Sequence, residues 1–556
     1  MDAPGAKYPF ALQGWRRTIT TGSAEAQAWF DRGLGWTYGY NHEEAVRCFR
    51  AALRHDPGCA MAWWGIAYAG GPFYNRPWIR FTPQEIASTL AECHHAAAQA
   101  RALAERATPE EAALIAAIGL RYPQAAPAPQ ADLARWHDAY TDAMRAAHQR
   151  FPDDPDIAAL FVEAAVTRTP RRLWDIRTGA PLPGSDILEA RAVLERMIGQ
   201  MAPGRPHPGL LHMYIHAMEM SQTPEDALAA SDMMRDLARD EGHFHHMPAH
   251  IYVQCGDYAQ SVAVSQRAVA VDDRYLAERG PANFYTTARC HDLHLLMFAA
   301  MMLGHHGAAI GAADRICTTA TPELIGDSFP FMAAILDGYS AMHVHVLVRF
   351  GKWHQLVAEP APPQPGLTPI RMAMHAYGQG VAHAALGGIA EAEAAQRRLE
   401  RAMADIPPDA IFLSNPIVEM LAVGEAMLEG ELKYRKRNFG PAFAALRRAV
   451  ERDDSLAYTE PWAWMHPPRH ALGALLAEQG RMAEAEAVFR DDLGLTDTVP
   501  RCIRHPDNVW ALSGLLECLT DRGATGEAEE IARRLAIAQR HTDTPVTAAC
   551  CCRGGP

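Results

Sequence analysis

Apolar residues recur at three- and four-residue spacing along almost the whole chain, whereas β-branched alternation with Asn-Gly or Asp-Gly turns is nearly absent. That pattern predicts an all-α protein. Several helix starts share one chemistry: Thr82-Pro83-Gln84-Glu85, Thr108-Pro109-Glu110-Glu111, Thr223-Pro224-Glu225 and Thr321-Pro322-Glu323. In each, Thr can cap, Pro fits the first turn without losing a needed donor, and the acidic residues suit the positive end of the helix dipole. Proline-rich stretches at 122–130 and 359–369, and a looser segment at 177–186, read as linkers.

The helices group into repeats. Trp29, Gly33, Trp36, Ala45, Phe49, Ala52 and Pro57 place small residues where two helices would cross and aromatic residues where they would pack. The segment resembles a tetratricopeptide repeat, a pair of antiparallel helices in a unit of about 34 residues. Gly473, Gly480, Ala485 and Phe489 are similar, as more faintly are Gly523 and Ala528. Gly256, Gly304, Gly351 and Gly387 stand where the family's turn between its two helices would fall. The resemblance implies an all-α helical-repeat solenoid, open or curled into a closed superhelix. The expected organisation is an N-terminal extension (1–22), repeats with an aromatic-rich groove (23–206), central repeats (207–358), C-terminal repeats (370–545) and a frayed tail (546–556).

Composition narrows the function. The 556 residues are 49% hydrophobic, so the chain can bury a large core. The net charge is -13 and no basic block runs along any predicted helix, which argues against a nucleic-acid binder. The N-terminus has no apolar stretch after a basic region, and no run reaches the roughly 18 apolar residues of a membrane span. The eleven cysteines form no CxxC pair, which suits a reducing cytoplasm better than a disulfide framework. Phosphate-binding glycine loops, G-x-S-x-G and H-E-x-x-H are all absent.

Histidine carries the chemistry that remains. His212, His216 and Glu219 fall on one helical stripe, as do His246 and His250, with His243 a turn earlier. His246 and His250 follow His212 and His216 by 34 residues each, the repeat length. Aligning the turn glycines brings His291 and His294 to the places of His243 and His246. The resemblance implies that the second, fifth and ninth residues of each first helix line the concave groove. Over three repeats those nine places are Gly209, His212, His216, His243, His246, His250, His291, His294 and Phe298. Seven are histidine, whereas 26 in 556 predicts fewer than one.

Two histidines one helical turn apart can converge on one ion, and an imidazole-rich shell favours transition metals over magnesium or calcium. The pattern therefore predicts a site for one or two ions of iron, copper, manganese or zinc. His212, His216, His243, His246, His250 and His294 are the expected ligands, Glu219 a ligand or general base, and His291 a ligand or acid/base partner. Phe30, Tyr38 and the loop 71–75 are candidates for an apolar end of the groove. The leading functional reading is a metal-dependent enzyme acting on an organic small molecule, by redox chemistry or by hydrolysis. The alternatives are a metal or haem carrier and a scaffold whose groove holds a peptide; peptide or homo-oligomer contacts through the repeats fit any of these.

Overall fold

The computed structural model describes residues 8–553 apart from positions 13, 203, 238 and 365. Antiparallel helix pairs follow one another along the chain, beginning with Ala24–Tyr38 and His42–His55. The central pairs are Pro208–Met218 with Leu228–Leu237, Gly242–Gln254 with Tyr258–Arg279, and Tyr285–Leu303 with His306–Thr319. The fold is thus a tetratricopeptide-like, all-α helical-repeat solenoid. Among the described residues the strands amount to one short hairpin, Ile411–Phe412 with Asn415–Pro416.

Local chemistry explains where helices begin and end. Thr82 and Thr108 each form a reciprocal capping box with Glu85 and Glu111, and Thr321 accepts from the Leu324 amide. Thr223 departs from this set: it precedes a 3-10 turn, Pro224–Ala227, and caps no amide. Its hydroxyl instead bonds the Asp226 carboxylate. Gly256, Gly304, Gly351, Gly387, Gly480 and Gly523 all adopt positive φ, between 62° and 83°, at the turns that separate paired helices.

Pair packing rests on glycine and phenylalanine. The Phe49 ring lies between Gly33 and Gly65, where a Cβ would come within 2.5 Å and 2.6 Å of it. The Phe489 ring is clasped likewise by Gly473 and Gly514. The same device thus repeats near both ends of the solenoid.

The superhelix closes on itself. Tyr275 donates to Asn41 across 234 positions, and Arg279 pairs with buried Glu44. Gln254 donates to the Cys502 carbonyl, Trp510 to that of Met301, and Arg80 to that of Leu413. N-terminal, central and C-terminal repeats therefore share one interior. In the run Pro330–Arg349, long and apolar enough to cross a membrane, 83% of an 18-residue apolar window is buried in that interior.

Both ends of the chain are drawn in. Trp15 and Arg17, in the expected extension, bond Asp156, and Arg17 also bonds Asp154. Of the segment read as a frayed tail, residues 546–553 are described and packed: Val546, Ala549 and Cys552 are buried, and Arg349 and Arg435 bind the carbonyls of Ala549 and Cys552. Cys550 and Cys552 are joined as a disulfide, and the other nine cysteines are free.

Two outcomes follow for stability. Gly33→Ala should cost about 1–3 kcal/mol by forcing Phe49 aside, whereas Gly119→Ala, with nothing within 4 Å of its Cβ, should be neutral or gain up to about 1 kcal/mol. Thermal unfolding of the two variants checks this. Burial, reinforced by Arg121, holds His42 and His137 neutral with pKa values pulled down to about 3. An unfolded histidine titrates near ~6.5, so the unfolded chain takes up these protons first as pH falls. Their stabilisation is complete above about pH 6.5 and is lost on descent toward the folded values, about 2 kcal/mol each by pH 5. Urea unfolding at pH 7 and 5 should show this loss, and His137→Gln should lose about 2 kcal/mol less over that interval.

Candidate metal centre

The Pro208–Met218 helix is positioned by its own first turn. His207 caps it, accepting from the Leu210 amide, while its other ring nitrogen meets Asp156 at 3.1 Å. Gly209 lets the helix approach Tyr38, whose ring would stand 2.6 Å from a Cβ there. That approach brings the Tyr38 carbonyl to His212, whose Nδ1–H donates to it at 2.7 Å. One turn later His216 Nδ1–H donates to Glu219 Oε1 at 2.8 Å. With Nδ1–H committed, each ring has its Nε2 lone pair free.

The next repeat supplies the opposing rings. From the Gly242–Gln254 helix, His243 Nε2 comes within 3.1 Å of His212 Nε2, and His250 Nε2 within 2.6 Å of His246 Nε2. His250 Nδ1–H donates to Glu219 Oε2 at 2.5 Å, and Tyr458 donates to the same oxygen at 3.0 Å. His291 joins from the Tyr285–Leu303 helix, its ring centroid 4.5 Å from that of His246 and 5.5 Å from that of His250.

Two triads result: His212, His216 and His243, and His246, His250 and His291, with one donor atom of each residue within 4.8 Å of the others in its triad. They adjoin, with centroids of His216 and His250 5.9 Å apart and those of His243 and His246 5.7 Å apart. Five of the six rings are buried and His291 is 14% exposed. Burial, reinforced by neighbouring imidazoles, pushes His212, His243, His246 and His291 well below the ordinary imidazole range; for His216, which falls to about 3, burial outweighs the opposing pull of Glu460. Burial opposes charge on His250 too, but the Glu219 carboxylate outweighs it and raises that ring.

The donor set fits a transition metal. Neutral imidazole is the form that ligates, and a tetrahedral ion bound at about 2.0 Å needs nitrogens about 3.3 Å apart. His216 Nε2 and His243 Nδ1 are buried without hydrogen-bond partners. Two close imidazole nitrogens without a cation need a proton between them, and a buried unpaired nitrogen costs about 1–3 kcal/mol.

Glu219 and His294 are placed differently from each other. Fully buried Glu219 accepts from His216, His250 and Tyr458 and so braces rings of both triads, and with His216 and Glu460 it forms a third group whose donor atoms lie within 4.8 Å of one another. His294 is buried with neither nitrogen partnered, its ring tilted against that of Tyr339 with centroids 5.0 Å apart, and it lies outside both triads. Three residues turn a helix by about 300°, so His294 faces some 60° away from His291.

Sequence reasoning missed several neighbours. Glu460 lies 3.9 Å from His291 Nε2, is held by Arg171 at 3.0 Å, and has Oε1 buried without a partner. Asp292 Oδ1 lies 3.2 Å from His246 Nδ1 without hydrogen-bond alignment. Burial and the neighbouring Asp272 carboxylate raise Asp292 well above the carboxylate range. Tyr40 occupies a turn of the kind that carries glycine in later repeats, at φ 57°, a conformation costing about 1–2 kcal/mol outside glycine. Its ring packs 4.3 Å from that of His212 and 5.6 Å from that of His243. The glycine register is the signal that would have found it.

A cavity of about 360 Å³ opens beside the triads, and His243 and His291 line it together with Tyr40, Phe73 and Glu460. Phe30 and Tyr38 do not: Phe30 packs on Phe49, and Tyr38 donates to Asp156. A second histidine group lies apart, with His345 Nδ1 2.7 Å from His466 Nδ1 and His470 paired to Asp492. The methionines Met213, Met218, Met220, Met234 and Met247 are core residues.

No protein-family model and no curated protein matches this chain. Among solved structures it is similar to the human IFIT1 dimer with m7Gppp-AAAA, at 10% identity and TM-score 0.32, over 94% of this chain and 91% of that one. Yeast Tom70 is similar at 12% identity and TM-score 0.32, over 93% and 99%. The Cut9–Hcn1 hetero-tetramer of APC/C is similar at 13% and 0.31, over 89% and 76%.

Metal stoichiometry separates triad members from bystanders. Equilibrium dialysis against copper or zinc should give about two ions per chain, and His216→Ala should lower the affinity at least ~10-fold while His294→Ala leaves it unchanged. Equal losses in the two variants would contradict the assignment.

Proposed function

We propose that this protein is a metal-dependent enzyme that binds two transition-metal ions in the paired histidine triads and acts on an organic small molecule. The observation that carries the reading is the shared wall: one ring of each triad, His243 and His291, faces the same cavity. An imidazole-dominated donor set matches copper best among the candidate metals, followed by zinc and iron, while manganese prefers carboxylate and water. When bound, such a pair supplies Lewis acidity and, for copper or iron, electron transfer at the cavity floor. Redox chemistry is the favoured class.

The chain's own residues then divide the work. Glu219 and the Tyr38 carbonyl hold the ring orientations through Nδ1. Phe73 and Tyr40 exclude water from the cavity side of the rings. Glu460, whose Oε2 is held by Arg171 and lies 3.9 Å from His291 Nε2, keeps its Oε1 unpartnered and takes up the proton that a substrate or water releases in the cavity. That unpartnered oxygen also suits activation of water, which makes hydrolysis of an ester or amide the second reading.

Oxygen-electrode assays over a panel of phenols, amines and aryl carboxylates, with nitrophenyl esters as the hydrolytic control, test the proposal on metal-loaded protein. Turnover is expected with one of these classes, and Glu460→Gln should keep its metal while kcat falls about 100-fold or more. Loaded protein that turns over nothing, with or without Glu460, would favour a scaffold or carrier.

A further inference from the structure

The cavity beside the triads is asymmetric in charge. Arg80, Arg168, Arg171 and Arg172 line it, and Glu460 is its one carboxylate. Arg168 is neutralised by Asp138 and Asp186, and Arg171 by Glu460. Arg80 has no carboxylate partner among the described residues: it donates to the Leu413 carbonyl at 2.7 Å, and its guanidinium lies 4.9 Å from the Phe331 ring centre. Arg172 is exposed and likewise has no carboxylate partner among the described residues. Burial, with Arg171 adding to it, lowers the Arg80 pKa, so the wall holds a cation whose charge the fold does not balance. Around it the lining is apolar: Phe73, Phe284, Phe331, Ile335 and Tyr339.

From this juxtaposition we infer that the cavity takes an organic carboxylate with an aromatic or branched apolar body, its carboxylate on Arg80 and its body among the phenylalanines. This rests on the reading of the cavity as the substrate site and names its substrate class. A planar guanidinium fork matches a carboxylate, and charge-assisted pairing in a partly dry wall exceeds what an exposed pair would give. The volume of about 360 Å³ is at the lower end of small-molecule sites and suits a compact ligand. The far end of such a ligand would lie toward His243 and His291, which line the same cavity.

Titration calorimetry with 3-phenylpropionate and its neutral amide tests this on protein as purified, with metal content measured on the same sample. The acid should bind at least ~10-fold more tightly than the amide, and Arg80→Gln should abolish that preference while leaving amide affinity unchanged. Arg80→Lys should retain part of the preference. Circular dichroism of each variant controls for folding. Equal binding of acid and amide, or an Arg80→Gln change that weakens both alike, would overturn the inference. Acid preference that survives Arg80→Gln but vanishes on metal removal would place the carboxylate on the metal and overturn it too. Acid preference carried by Arg80 in protein that takes up no metal would sustain the anion pocket while the metal reading fails.

Discussion

The centre of this protein is organised by one buried carboxylate. Glu219, with none of its surface exposed, ends the Pro208–Met218 helix and accepts hydrogen bonds from His216, His250 and Tyr458. Those three partners come from its own repeat, from the next repeat and from a coil 239 positions away. A buried charge left without its partners costs about 3–5 kcal/mol, so these contacts are mutually dependent. The same bonds fix the rotation of two imidazoles, one in each triad. Repeat stacking, superhelix closure and ring orientation thus meet at one side chain.

Closure converts a solenoid groove into an enclosed chamber. An open array of helix pairs would leave its concave histidines in water, where imidazoles keep ordinary pKa values. Here contacts such as Arg171 with Glu460 and Trp510 with the Met301 carbonyl close the interior, and burial holds every triad ring but His250 neutral, that one being raised by Glu219. Tyr40 shows the cost that the fold accepts locally. A non-glycine residue in left-handed backbone persists where its ring packs against His212 and His243.

The repeat architecture and most of the site were legible because both obey a period. Glycines at the inter-helix turns and the 34-residue offset of His212 and His216 from His246 and His250 are local or nearest-neighbour features. His243 and His291 followed from the same alignment. His294 followed as well, but the alignment of that repeat did not resolve which of two ring positions faces the triad. Glu460 and Tyr458 carry no such signal. They sit in an aperiodic coil whose place depends on how the whole superhelix curls, a quantity that no spacing encodes. Arg80 was hidden for the same reason, since its carbonyl partner is 333 positions distant.

The central claim is that the two triads are ligand sets and not merely a polar interior. Anomalous diffraction from crystals of untagged protein, collected at the copper, iron and zinc absorption edges, addresses it directly. The account predicts two adjacent peaks, one among His212, His216 and His243 and the other among His246, His250 and His291. Metal-replete crystals with no peak in either triad, or with a peak only between His345 and His466, would contradict it.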